Sequence, residues 1–273
     1  NKWNITNSKA HVRTIAKDDT DVDKSIVEAV KEAHEGTIKY VRQAVGTTTA
    51  DIHSYFSQVQ DDPSIQIVTN AQKWYVEQKL KGTANENLPV LSAGAPFKAG
   101  TRSDPEYYTF VPKGELAIKN VADLYLYDNT VSTLKITGAD VKEWLEMSAG
   151  QFNQIDASRV GEQNLINSDF RSYNFDVIDG VTYEIDVTQP AKYDADGKEI
   201  NVNSSRIKNL KYDGKSIDPK QEFIVATNNY RANGNFPGVR NATAVEMYPD
   251  ENRQVIIDYI LVQKTIDSTA DGN

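Results

Sequence analysis

The chain has 273 residues, 39% of them hydrophobic, a formal net charge of −9 and no cysteine. That length suits one large domain or one domain plus an appendage, and no apolar run approaches the roughly 18 residues of a membrane-spanning helix. The acidic balance argues against binding a nucleic-acid polymer, which takes clustered Lys and Arg, but leaves room for one small anionic ligand; the lack of cysteine removes disulfides, thiolate metal sites and cysteine nucleophiles together.

The start, Asn1-Lys2-Trp3-Asn4, has no initiator Met and no signal-peptide pattern, so a fragment or a processed chain is expected. Residues 1–20 read as a connector or the remnant of a preceding domain, ending in the charged run Lys17 to Asp23. A linker helix is expected over 21–46. Ser25 is a fair N-cap, Val27, Val30, His34, Ile38, Val41 and Val45 recur at spacings of three and four, and Gly46 supplies the stop. At about 1.5 Å per residue it would be roughly 30 Å long, enough to link two bodies.

Residues 47–266 read as one α+β domain of short elements in mixed order, with a loose tail over 267–273. Helices are expected at Asn70 to Leu80 and Ala139 to Ala149, and strands at Leu88 to Leu91, Val131 to Ile136, Thr182 to Val187, Arg206 to Tyr212 and Phe223 to Thr227. Asp250 to Ile266 is β-branched enough for a strand, yet its charged entry and its length favour a helix.

Metal chemistry finds little support. The histidines are His11, His34 and His53, and the one metal-like fragment is Asp51-Ile52-His53, without partners; a two-metal hydrolase needs several more converging ligands. Asp61-Asp62 and Asp18-Asp19 look like loop acids, and no G-x-S-x-G elbow is present. Self-sufficient catalysis is hard to build from this chain.

Ligand binding is better served. The loop Ala93 to Arg102 follows a strand with small residues and two cations, and Lys98 or Arg102 can offset an oxyanion's charge, although a loop with two solvated cations is an equal reading. In Leu124 to Thr130, alternation puts Tyr125 and Tyr127 on one side if the stretch is extended, with Asn129 at the following turn. In Ala226 to Gly238, A-T-N-N-Y-R-A-N-G-N-F-P-G, Tyr230 sits among asparagines and glycines after a strand. A tyrosine presents a broad apolar face with few torsions to freeze, and amides can bond in the plane of a heterocycle lying on it. From each stretch alone, an ordinary strand end or glycine-rich turn is the simpler account.

Longer runs carry a resemblance. Gln58-Val59-Gln60-Asp61-Asp62-Pro63 to Asn70-Ala71-Gln72, Ala95-Pro96-Phe97-Lys98, Asn120 to Tyr127, Ser148 to Asp156, Tyr173 to Val181 and Asn228-Asn229-Tyr230-Arg231-Ala232 are similar to the C-terminal part of bacterial 2′,3′-cyclic-nucleotide 2′-phosphodiesterase/3′-nucleotidases of the 5′-nucleotidase superfamily. The resemblance implies a mixed sheet with packed helices after a long linker helix. It also implies a nucleoside-binding domain, with two divalent metals held in a separate N-terminal metallophosphoesterase domain and no cofactor in this part. By position, Tyr127 and Tyr230 resemble the aromatic pair that sandwiches the base, Asn129 the amide beside the first ring and Gly180 a backbone contact to the base. Lys98 resembles the place of a phosphate-binding arginine in a G-G-G-I-R run, here Gly94-Ala95-Pro96-Phe97-Lys98, with Arg102 as the alternative. An extracellular, periplasmic or cell-wall location in a bacterium is also implied. A different class, a non-catalytic nucleoside-binding or cell-surface interaction module, would use the same tyrosines.

Overall fold

A computed structural model describes residues 2–14, 22–100 and 104–268. Two compact units emerge, Asn1–Val41 and Arg42–Asn273. The first holds one helix, α1 (Lys24–Val41), none of whose residues is buried. Asp23 rather than Ser25 caps it, its Oδ1 accepting from the Ser25 amide at 2.9 Å. The helix also stops short of the expected Val45.

In the second unit β1 (Ala44–Thr48) and β2 (Ile52–His53) precede α2 (Pro63–Leu80). Then β3 (Val90–Gly94), β4 (Phe110–Val111) and β5 (Gly114–Ala117) lead to α3 (Ile118–Leu124), and β6 (Thr130–Thr137) leads to α4 (Gly138–Ser148). Four strands follow, β7 (Val177–Asp179), β8 (Val181–Ile185), β9 (Ile207–Tyr212) and β10 (Lys215–Ser216). The chain continues through β11 (Glu222–Asn228), the one-turn α5 (Asn229–Ala232), β12 (Ala244–Glu251), α6 (Asn252–Gln263) and β13 (Thr265–Ile266). The region Asp250 to Ile266 is thus mainly helical, as its length and entry predict.

Gly46, expected as a helix stop, lies inside β1. A Cβ there would stand 2.6 Å from Ile260 Cγ2 and 2.8 Å from the Lys264 carbonyl, so its lack of a side chain lets β1 approach α6. Asp62 is no loop acid either. Its Oδ1 accepts from the Ser64 amide at 2.9 Å and Pro63 fills the first turn, which starts α2 seven residues before the periodicity at Asn70 predicts.

The central sheet is mixed, in the order β12-β6-β11-β3-β7; β11 and β3 are parallel and the other neighbours antiparallel. Side chains alternate across β11: Phe223 and Val225 join a core with Trp144 and Leu145 of α4, while Ile224 and Ala226 join a second with Val76 of α2 and Ile256 of α6. Covered on both faces, β11 reads as the continuous apolar run Phe223-Ile224-Val225-Ala226. The architecture is α+β, as expected.

Candidate nucleoside site

The register of the sheet brings separate stretches to one end of it. Parallel β3 and β11 both finish there, delivering Ala95 and Phe97 from one and Asn228 and Tyr230 from the other. Strand β6 runs the opposite way, with Val131 opposite Asn228, so Tyr127 and Asn129 approach from the same end. Strand β7 enters there too, with Val177 opposite Gly94, so Tyr173 and Asp176 precede it at that end. These residues and Arg231 line one cavity of about 300 Å³.

Its walls are aromatic. Tyr127 is 46% and Tyr230 61% exposed, so neither is core. Phe97 stands edge-on to Tyr127, with centroids 5.0 Å apart and planes at 87°, and Tyr173 is nearly perpendicular to Tyr230, at 6.5 Å and 83°. Tyr125 does not share the exposure of Tyr127: it is buried, and of the two only Tyr127 lines the cavity. Helix α3 runs to Leu124, and Tyr125 closes it as a buried ring that is also edge-on to Phe97, at 5.0 Å.

The buried Tyr125 hydroxyl accepts from the amide nitrogens of Asn129 at 3.3 Å and Asn252 at 3.1 Å. Burial pushes its pKa up to about 12, so it stays a neutral phenol. Anchoring Asn129 through Nδ2 leaves its Oδ1 to accept from a ligand. Most neighbouring asparagines are spoken for: Asn228 Oδ1 caps α5 through the Arg231 amide at 2.9 Å, Asn229 Oδ1 accepts from the Thr130 amide at 3.2 Å, and Asn233 Nδ2 donates to the Asn229 carbonyl at 2.8 Å. The polar composition around Tyr230 therefore builds the turn first.

Beneath the rings lies a buried ion pair that the sequence reading did not find. Arg231 Nε lies 2.7 Å from Asp176 Oδ2, an ion pair whose N–H is not aligned for a hydrogen bond, and Trp144 Nε1 donates to the same oxygen at 2.8 Å. Burial pushes the Asp176 carboxyl above the ordinary carboxylate range, while Arg231 and the Trp144 N–H pull it back. The Arg231 guanidinium also donates to the Tyr173 carbonyl at 3.0 Å and to Asn174 Oδ1 at 3.1 Å. The signal available was the run Tyr173 to Asp176, whose arrival at this end of the sheet only the register of β7 against β3 reveals.

Gly180 does not line this cavity. It follows Asp179, which pairs with Ser92 in the middle of β3, so it sits against Leu91 and faces a separate cavity with Lys73 and Glu77. At strand rise it is on the order of 13 Å from Asp176, which with Tyr173 is the part of this stretch that does reach the site. Lys98 is also outside the lining. Its ammonium pairs with Asp123 and lies 4.8 Å from the centroid of Tyr107. Arg102 lies outside the described residues.

Asp51 and His53 serve the fold: Asp51 Oδ1 accepts from the Lys113 amide at 2.7 Å, and His53 pairs with Phe110 and stacks on Tyr55 at 4.8 Å. Among the described residues no group of three or more metal-ligating side chains converges, and no helix is long and apolar enough to cross a membrane.

The family model for the 5′-nucleotidase C-terminal domain matches residues 44–238, from β1 through the turn after α5. The chain belongs to the 5′-nucleotidase family, as its C-terminal domain. It is 58% identical to the trifunctional nucleotide phosphoesterase YfkN of Bacillus subtilis over 99% of this chain and 19% of that protein. It is 52% identical to the 2′,3′-cyclic-nucleotide 2′-phosphodiesterase/3′-nucleotidase of Haemophilus influenzae over 95% of this chain and 41% of that one. The chain thus spans less than half the length of these relatives. Among solved structures, a 5′-nucleotidase precursor of Thermus thermophilus matches 90% of this chain and 41% of its own with a TM-score of 0.65 at 16% identity. The NAD nucleotidase of Haemophilus influenzae matches 92% and 41% with a TM-score of 0.58 at 16% identity. At those identities the likeness is one of fold, and the 5′-nucleotidase C-terminal fold is the one seen here.

Proposed function

We propose that this 5′-nucleotidase C-terminal domain binds the nucleoside of 2′,3′-cyclic nucleotides and 3′-nucleotides, holding the base between Tyr127 and Tyr230 with Asn129 at its edge. One observation carries the reading: two exposed tyrosines from distant stretches of the chain line the same cavity as an anchored amide. Stacking accepts any base, because every base has a π-face, so broad tolerance follows. The names of the relatives supply the substrate class.

The reaction itself is assigned elsewhere. The described residues do not offer the ligand set of a two-metal centre. Two divalent metals are expected instead in an N-terminal metallophosphoesterase domain, in the part of the relatives that this chain does not span. The reading further expects an extracellular, periplasmic or cell-wall location in a bacterium, which fractionation of the producing cells tests. Calorimetry with adenosine tests the site. Tyr230→Ala should weaken binding by about 5- to 150-fold, the equivalent of roughly 1 to 3 kcal/mol of stacking. A weak signal, equal in both proteins, would favour a non-catalytic interaction module.

A further inference from the structure

We infer that Tyr173, held in place by Arg231, grades the nucleoside cavity by base size and favours purines over pyrimidines. The inference rests on the nucleoside reading above and extends it to a ring outside the stacking pair.

A base stacked on Tyr230 lies parallel to that ring. Tyr173 is inclined to Tyr230 by 83° at 6.5 Å and lines the same cavity, so a base on Tyr230 meets Tyr173 nearly at right angles, in an edge-to-face contact. A purine presents two fused rings to that contact where a pyrimidine presents one, and it reaches further across the cavity. The part of the ring it can touch is real surface, since Tyr173 is 36% exposed. Tyr173 lies in a one-turn 3₁₀ helix, Ser172–Asn174, just ahead of β7, closed by the Asn174 amide on the Arg171 carbonyl at 2.8 Å and the Phe175 amide on the Ser172 carbonyl at 2.9 Å.

One side chain ties that turn to the wall that carries Tyr230. Arg231, next to Tyr230 in the chain and 4% exposed, donates to the Tyr173 carbonyl at 3.0 Å and to Asn174 Oδ1 at 3.1 Å. It pairs with Asp176 at 2.7 Å and lies 3.8 Å from the centroid of Phe236. The residue that follows one wall thus fixes the backbone of the other, and the angle between the two rings is set by a buried guanidinium. Its planar fork reaches several acceptors at once, which a lysine ammonium on a flexible stem does not reproduce. Arg231 is therefore a positioning residue.

The test is calorimetry of adenosine and uridine on the chain and on Tyr173→Ala, Tyr173→Phe and Arg231→Lys, with unfolding midpoints measured in parallel. Tyr173→Ala should weaken adenosine by roughly three- to ten-fold and uridine by about two-fold or less, narrowing the preference. Tyr173→Phe should keep it, because the ring and not the hydroxyl makes the contact. Arg231→Lys should narrow it in the same direction as Tyr173→Ala, even where its midpoint falls. If the wild type binds both nucleosides and Tyr173→Ala leaves their ratio unchanged, the inference is overturned while the nucleoside reading stands. If the wild type binds neither, both fall.

Discussion

The Lys98 ammonium lies between the Asp123 carboxylate and the face of Tyr107, with its side chain 14% exposed. A phosphate recruiting that charge competes with Asp123, so the phosphate contact that the resemblance implies for Lys98 has a measurable cost built in. Asp123→Asn removes the competitor without removing the cation. It should tighten 3′-AMP relative to adenosine by about two- to five-fold in calorimetry, the scale of one partly exposed ion pair. An unchanged ratio would take Lys98 out of the phosphate site. Residue types and positions were legible here to different depths. Tyr127, Asn129 and Tyr230 stand out because aromatic rings in polar, turn-forming surroundings are poor core residues, and the structure brings all three to one cavity. Arg231 and Asp176 do not stand out, because a buried ion pair leaves no periodicity; each looks like an ordinary surface charge until the register of β7 against β3 puts them together.

Elements set what the residues can do. Strand β11 was legible as a strand because both its faces are covered, and its end fixes where Tyr230 emerges. Its antiparallel partner β6 was legible too, through alternation of Val131, Thr133 and Lys135 with Ser132, Leu134 and Ile136. Pairing was not legible, and Gly180 shows the consequence: the stretch was matched to the site, but only strand register decides which of its ends arrives there. Gly46 is a similar case. Composition makes a glycine after a helix look like a stop, whereas here it admits α6 against β1. Gly46→Ala should therefore lower stability by about 1 to 3 kcal/mol, the usual cost of overpacking, seen as a shift in the urea midpoint with an unchanged slope.

At the scale of the whole chain, the second unit has a cavity lined by an amide and exposed tyrosine rings but, among its described residues, no set of metal ligands. Its relatives named for hydrolysis extend well beyond it, the Haemophilus influenzae enzyme more than twofold in length, since only 41% of that protein is covered. Under the proposed function, binding and bond cleavage are separable by length of chain. A domain that only positions a nucleoside contributes to rate by holding the phosphate near the reacting centre, an effect that vanishes when the centre is absent. The 273-residue chain should therefore bind adenosine and 3′-AMP and release no phosphate from 3′-AMP in the presence of Mn²⁺ or Mg²⁺, measured over hours at enzyme-excess concentrations. Joining it to the remaining part of a relative should restore turnover, and Tyr230→Ala in that longer protein should raise KM by more than it lowers kcat, because stacking far from the phosphate is felt alike by bound substrate and transition state. Metal-dependent release of phosphate by the short chain alone would place the chemistry within its own residues.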